Sequence, residues 1–272
     1  MSYADYVATV PTALQILISM LLTAGISVGL VWACHKPLIK LAQEPKREED
    51  DTSPRIPASY FLSGRIIQVT GIVFVFLFTF TVAQFVVNAR NADSGSQFEV
   101  QYYARAMAAA QSLPVEAGRD AVVTALEDYR ATVLDREWPL MQRADAMAAY
   151  AAQQEANQVV ADALAVSEQS GGADTLAWDP LSTAVEDMLT SATDRLSNVP
   201  GRNTASLVLA VMFLGVVSLA LTAVFLPTHL GINLALIGFL GATYGFMFYL
   251  VVELSNPFDG AGGLVSMFEW VQ

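Results

Sequence analysis

The chain has 272 residues, of which 54% are hydrophobic and 15% are charged, and its formal net charge at pH 7 is −12. This composition is too apolar for a soluble globular domain, and the acidic balance gives no reason to expect a nucleic acid partner. The single cysteine, Cys34, excludes an internal disulfide, and together with His35 alone it makes no metal site.

Four uncharged stretches are each long enough to cross a bilayer. They lie between Asp5 and His35, between Arg65 and Arg90, between Arg202 and His229, and between Leu230 and Glu253. About 20 apolar residues in a helix span a hydrocarbon core of about 30 Å. The sequence therefore predicts an all-α integral membrane protein with four transmembrane helices and a helical extramembrane domain between spans two and three.

The predicted segments are, in chain order, a first transmembrane helix at 1–34, a charged connecting loop at 35–65, a second transmembrane helix at 66–88, an acidic helical extramembrane domain at 89–204, a third transmembrane helix at 205–228, a fourth at 230–253, and a C-terminal segment at 254–272. The first span lacks a basic leader and is too long for the apolar part of a signal peptide. We therefore expect it to be retained.

The second span contains an alternating run, VFVFLFTFTVAQF at 73–85, with phenylalanine at 74, 76, 78 and 80. A lone strand in lipid would leave its backbone groups unpaired, so the run is predicted to be helical. In a helix, Phe74 and Phe78 share one face and Phe76 and Phe80 lie on nearly the opposite one. One face can meet lipid or a neighbouring helix while the other lines an interface or a pore. Plain packing is the commoner role of such rings and stays open as the alternative.

The segment at 89–204 has no lysine and carries 8 arginines against 17 acidic residues. An apolar stripe at helical spacing, ending at Val133, predicts a buried helix face. Three or four helices are expected, some of them continuous with the membrane spans, and the alanine-rich surfaces favour an oligomer. The local signals for these helices are the stripe Val122, Leu126, Tyr129 and Val133, the more polar stripe Met147, Tyr150, Gln154 and Asn157, helix starts at Pro114, Pro139 and Asp179-Pro180, and a stop at Ser170-Gly171-Gly172.

Charge asymmetry gives a first indication of orientation. The connection between spans one and two carries six Lys/Arg residues, whereas the N-terminal twelve and the C-terminal twenty residues carry none. The positive-inside rule places that connection in the cytoplasm and the helical segment outside. No charged residue lies inside a span, which argues against an ion-coupled pump.

Two short motifs carry a resemblance to a known family. Asn256-Pro257-Phe258-Asp259-Gly260 follows the fourth span directly, and Glu137-Trp138 ends the run DYRATVLDREW at 128–138. With paired first and second spans and a helical insertion, this arrangement resembles the bestrophin-like family of bacterial membrane proteins, distant relatives of the bestrophin anion channels.

The resemblance implies a pentameric channel in the bacterial inner membrane, with the second span of each subunit lining a central pore. Phenyl edges carry partial positive charge, so an aromatic constriction can favour a partly dehydrated anion and can close by dewetting. The face toward the axis is open, and the stripe of Phe74 and Phe78 is our choice. The candidate pore-lining residues are Ile67, Gly71, Phe74, Phe78, Thr81 and Phe85.

The sequence departs from the bestrophins in ways that limit these expectations. Asp259 is the only carboxylate near the post-span motif until Glu269, so this loop alone does not build a calcium site, and no other cofactor is expected. A structural cap that ends span four stays open as the alternative role of the motif. The acidic segment would deplete anions and concentrate cations at the adjacent pore mouth, so cationic or poor selectivity stays open as an alternative. The family arrangement places that segment in the cytoplasm, opposite to the charge rule. Both orientations therefore remain open.

Two functions of different classes remain. One is a passive ion channel for anions. The other is a non-conducting accessory or assembly subunit whose helical domain docks a partner protein. An enzyme is not expected, because no nucleophile–base pair, phosphate-binding glycine loop or zinc spacing is present.

Overall fold

The computed structural model describes residues 12–42, 58–225, 230–259 and 267–270, and all of the elements it describes there are helices. They are α1 (Thr12–Ala42), α2 (Ala58–Gln111), α3 (Glu116–Thr132), a π turn (Val133–Glu137), α4 (Trp138–Gln142), α5 (Ala146–Gln169), a 3₁₀ turn (Gly172–Asp174), α6 (Trp178–Ser197), α7 (Arg202–Phe225), α8 (Leu230–Ser255) and a second 3₁₀ turn (Met267–Trp270).

Four of these helices are long and apolar enough to cross a membrane, which confirms the prediction of four spans in an all-α protein. The spanning parts are Thr12–Ala33, a stretch within Arg65–Gln111, Thr204–Thr222 and Leu234–Ser255. Residues 35–42 and 58–65 of the predicted loop are helical, and 43–57 lie outside the described residues.

Helix α2 is much longer than a bilayer requires. Its 54 residues extend about 80 Å at 1.5 Å per residue, against a hydrocarbon core of about 30 Å. The second span and the start of the predicted extramembrane domain are therefore one continuous helix, because no proline or glycine pair interrupts the helical pattern at residues 88–90.

The chain divides into two compact units. We call Met1–Ala83 with Ala205–Glu253 the membrane unit, and Gln84–Thr204 with Leu254–Gln272 the helical unit. The boundaries fall inside or at the ends of long helices, and each unit has its own core.

Aromatic stacking forms part of the core of the membrane unit, beside buried aliphatic side chains such as Val211 and Ile237. The ring of Phe74 on α2 stacks on Tyr244 of α8 with centroids 4.6 Å apart and lies 6.1 Å from Phe78. Gly215 on α7 makes room for this arrangement, since a Cβ there would lie 2.6 Å from the ring of Phe248 and 2.9 Å from that of Phe74. The Tyr244 hydroxyl lies 3.0 Å from the Ser218 hydroxyl, so its polar end is satisfied.

Helices α1 and α8 approach closely at two glycines spaced four residues apart. A Cβ on Gly241 would lie 2.9 Å from the Cα of Ala24, and one on Gly245 would lie 2.6 Å from the carbonyl oxygen of Ser19. The Ser19 hydroxyl donates to the carbonyl of Gly245 at 2.8 Å. Small residues at this spacing let membrane helices pack backbone to backbone.

This contact predicts that Gly245→Ala destabilises the membrane unit by about 1–3 kcal/mol, because the added methyl group forces two backbones apart. The matched control is Gly25→Ala, where a Cβ would meet no atom within 4 Å and the better helix propensity of alanine is free to act. Thermal unfolding in detergent should show a lower midpoint for the first variant only. Equal midpoints would contradict the close approach.

The helical unit packs α3, α5 and α6 with the second half of α2 around an apolar core. The predicted stripe Val122, Leu126, Tyr129 and Val133 is buried throughout, as expected. Helix α5 ends at Gln169, and Gly171 follows in the left-handed region at φ +88°, which confirms the predicted stop. Helix α6 begins one residue before Asp179-Pro180.

The C-terminal segment is also part of this unit. Phe268 is buried against the rings of Tyr103 and Tyr129, with centroids 5.2 and 6.3 Å away, and Arg130 donates to its carbonyl oxygen at 3.1 Å. The segment after the fourth span therefore contributes to the core of the helical unit.

Candidate functional site

The structure places the chosen pore-lining stripe on the buried side of α2. Phe74 is only 1% exposed, Thr81 and Phe85 are also buried, and Ile67, Gly71 and Phe78 are half-buried. The ring of Phe74 packs against Tyr244 of α8 and next to Gly215 of α7 within the chain. As a pore lining, this stripe stays a prediction.

The opposite face of α2 carries the alternative pair of rings. Phe76 is 72% exposed and Phe80 is 55% exposed, and Val69 and Ile72 extend the same apolar surface. This outward face is available to lipid or to a neighbouring subunit.

The post-span motif contacts the C-terminus of the short helix α4 through hydrogen bonds and Trp138 of that helix through an aromatic ring. At the C-terminus of α4, the Asn256 amide donates to the carbonyl oxygens of Gln142 at 2.9 Å and Met141 at 3.3 Å. The Met141 carbonyl also accepts from the backbone N–H of Ala144 at 2.9 Å. Its own side-chain oxygen accepts from the backbone N–H of Phe258 at 3.1 Å. The buried ring of Phe258 meets Trp138 edge to face, with centroids 5.6 Å apart. The two motifs on which the resemblance rests are therefore in direct contact, and the motif caps α4.

A fully buried ion pair lies beside this contact. Arg195 on α6 binds Glu99 on α2 through two nitrogens, Nε to Oε2 at 2.6 Å and Nη2 to Oε1 at 3.0 Å. The Tyr129 hydroxyl also donates to Glu99 Oε1 at 2.7 Å, and Gln153 donates to that hydroxyl at 3.2 Å. The carboxylate of Glu99 thus has three donors in a space without solvent, which is the arrangement a buried charge needs.

Glu137 is the second carboxylate on the same guanidinium. Its Oε1 forms an ion pair with Nη1 of Arg195 at 2.5 Å, but both carboxylate oxygens are buried without an aligned hydrogen-bond donor among the described residues. The same Nη1 also points at the sulfur of Met141, 3.2 Å away. One cation therefore serves two carboxylates, and it serves Glu137 less completely than Glu99.

The electrostatics follow from this unequal sharing. Burial raises the pKa of Glu137, Arg195 opposes the rise and Glu99 adds to it, and the resulting pKa is about 7. Burial acts to lower the pKa of Arg195, but Glu137 and Glu99 outweigh it, so the pKa is raised and the guanidinium stays charged. Burial and the same two carboxylates hold the pKa of Tyr129 well above its ordinary value, so its hydroxyl remains a donor.

Local sequence explains how the charges reach the interior. Glu99 and Arg195 each lie on a row of buried residues at helical spacing, which we call a seam. The seam on α2 consists of Ala92, Ser96, Glu99, Tyr103, Ala106 and Ala110. The seam on α6 consists of Leu181, Val185, Met188, Ala192 and Arg195. Gly95 allows the two helices to meet at this point, because a Cβ there would lie 3.0 Å from the backbone nitrogen of Arg195. The π turn at Val133–Glu137 leads directly into the motif pair Glu137 and Trp138, and both of these residues are buried. Such turns occur frequently at functional sites.

Sequence reasoning identified part of this site and missed the rest. It singled out Glu137, Trp138 and the post-span motif, but it assigned no role to Glu99 or Arg195. The missed signal was a charged residue at a seam position of an otherwise apolar stripe, once on α2 as an acid and once on α6 as a base.

No group of three or more His, Cys, Asp or Glu residues capable of holding a metal ion occurs in the described ranges. Asp259 is half-buried at the end of the motif, and Gly260 lies outside the described residues.

Comparison with known proteins gives one match. The model of the bestrophin-like domain matches residues 61–265, from the first turn of α2 to beyond the end of α8, and this range includes both motifs. No curated protein and no solved structure matches the chain. The family model covers three quarters of the chain, and four helices are long and apolar enough to span a membrane. This multi-pass membrane protein therefore belongs to the bestrophin-like family.

Proposed function

We propose that the chain forms an oligomeric ion channel that conducts anions, with α2 of each copy contributing its outward face to a shared axis. Membership in the bestrophin-like family indicates a protein of the ion-channel type. The observation that carries the finer proposal is the outward face of α2, where Phe76 and Phe80 project from the membrane unit while the other face of the helix is packed.

The aromatic rings supply the ion preference in this proposal. A phenyl edge presents partial positive charge, and rings from several copies would bring these edges around one constriction. Such a site needs no buried lysine or arginine, in agreement with the uncharged stretch between Arg65 and Arg90. An apolar constriction can also close by expelling water. A pentamer and the bacterial inner membrane are the assembly and location that we propose with it.

Conductance measurements on two exposed phenylalanines test the proposal. Phe76→Ala should raise the single-channel conductance of the purified protein in planar bilayers, because it removes a ring from the constriction. The matched control is Phe239→Ala on α8, whose ring is 76% exposed but lies on a different helix. An equal change in both variants would argue against lining by α2.

Two further readings of the same preparation complete the test. The sign of the reversal potential in a salt gradient separates anion from cation selectivity, which matters because the segment at 89–204 is strongly acidic. The mass of the assembly in detergent should correspond to five copies. A monomer or dimer would remove the basis for a shared axis.

The second candidate function is the non-conducting accessory subunit. In this function the helical unit would dock a partner protein while the membrane unit conducts no ions. Absence of conductance at every salt and potential, with the assembly intact, would favour this function.

A further inference from the structure

A buried carboxyl group with too few donors occurs in the helical unit. Glu137 and Glu99 are both completely buried and share the single guanidinium of Arg195. When both carboxylates are ionised, the cluster carries one negative charge more than it has positive. When one of them is protonated, the cluster is neutral.

The hydrogen bonds decide which carboxylate takes the proton. Glu99 accepts from two nitrogens of Arg195 and from the hydroxyl of Tyr129. Glu137 meets only Nη1 of Arg195, and its Oε2 has no donor among the described residues. Donors stabilise the ionised form of a carboxyl group and burial disfavours it, so Glu137, which has the fewer donors, is the residue that the geometry favours for protonation. The upward shift of its pKa to about 7 agrees with this geometry.

The other charged groups near this element do not replace the missing donor. Arg136, the neighbour of Glu137 in the π turn, points outward and pairs with exposed Glu155 on α5 at 2.9 Å. Arg130 on α3 directs its Nη2 to the carbonyl of Phe268. Asp259 is the carboxylate of the Asn256–Asp259 segment and cannot donate when ionised.

Glu137 is also well placed to transmit its charge state. It is the last residue of the π turn, and Trp138 follows it directly, with its ring 5.6 Å from the guanidinium carbon of Arg195 and in edge contact with Phe258. Phe258 belongs to the segment that follows the fourth span, and Asn256 of that segment caps α4.

We propose that Glu137 is a reversible proton-binding site, through which the contact between Trp138 and the Asn256–Phe258 segment responds to pH. Protonation makes the cluster neutral and releases Nη1 of Arg195 from Glu137. Loss of the proton restores the second ion pair and adds a negative charge next to Glu99. This site does not depend on whether the protein conducts ions.

The fluorescence of Trp138 tests the proposal in the full-length protein in detergent. The difference in emission between the wild type and Trp138→Phe isolates this indole from the other three tryptophans. We expect the difference spectrum to shift with a midpoint near pH 7, and we expect the shift to be lost in Glu137→Gln, which mimics the protonated form. Glu155→Gln is the matched control on an exposed glutamate and should keep the shift.

A second measurement guards against misfolding of the variant. In the wild-type protein, the infrared C=O band of a protonated carboxyl group should disappear as the pH rises through 7. This measurement requires no variant. The thermal midpoint should fall between pH 5 and pH 7.5 in the wild type, because the folded state holds a proton there that the unfolded state has lost. That slope should be smaller in Glu137→Gln. A wild type with no transition in either spectrum between pH 6 and pH 8, or an unchanged transition in Glu137→Gln, would overturn the proposal.

Discussion

Replacing Arg195 by methionine is expected to destabilise the helical unit by about 3–5 kcal/mol, because the substitution leaves two buried carboxylates without their cation. Glu99 would keep only the Tyr129 hydroxyl as a donor, and Glu137 would keep none among the described residues. Chemical unfolding in detergent, followed by the loss of helical circular dichroism, measures the change. The deficit should be smaller at pH 5 than at pH 7.5, since protonation removes the uncompensated charges.

The control for this variant is Arg136→Met. Arg136 forms an ion pair of similar length with Glu155, but both side chains are more than half exposed, so its loss should cost no more than about 1 kcal/mol. The triple variant Glu99→Gln, Glu137→Gln and Arg195→Met removes all three charges together and should recover part of the loss. An Arg195→Met protein as stable as Arg136→Met would show that the buried cluster is not formed.

Replacing Phe74 by alanine is expected to destabilise the membrane unit by about 3 kcal/mol, which is the lower end of the range for replacing a buried aromatic residue by alanine. The ring leaves a cavity between Tyr244 and Gly215, and the neighbouring backbones can collapse into it only partly. The expected loss of unfolding free energy is small within this range because separated helices in lipid are also in apolar surroundings. The variant therefore loses mainly packing contacts.

Phe213→Ala provides the comparison for this prediction. Phe213 is an outward-facing ring on α7, and its removal should change the unfolding free energy by about 0.5 kcal/mol or less. Thermal unfolding of both variants in the same detergent checks the difference. Equal losses would contradict the packing of Phe74 in the interior of the membrane unit.

The features that the sequence alone determined are local ones. The number of spans follows from the length of uncharged stretches, and the helical state of the phenylalanine run follows from the need to pair backbone groups in lipid. The stop at Gly171 and the start near Pro180 follow from backbone preferences of single residues. Each of these depends on residues within one or two turns of helix, so no knowledge of the partners was needed.

The face of α2 that is buried was decided only by the tertiary structure. Phe74 and Phe76 are equally apolar and lie on different sides of one helix, so the spacing cannot say which side meets other helices. Gly215 on α7 has no side chain to obstruct the ring of Phe74, and Tyr244 on α8 stacks on that ring. Because lipid and protein interior are both apolar, hydrophobicity does not separate these faces in a membrane as it does in water.

The buried charge cluster shows the same division between local and distant information. The seam positions of Glu99 and Arg195 are visible in the sequence, but their pairing joins residues 96 positions apart, and Asn256 caps a helix 114 positions away. A charge on an apolar seam indicates that a partner must exist, because an unpaired buried charge is too costly. Only the packing of α2 against α6, at the glycine next to that seam, identifies the partner.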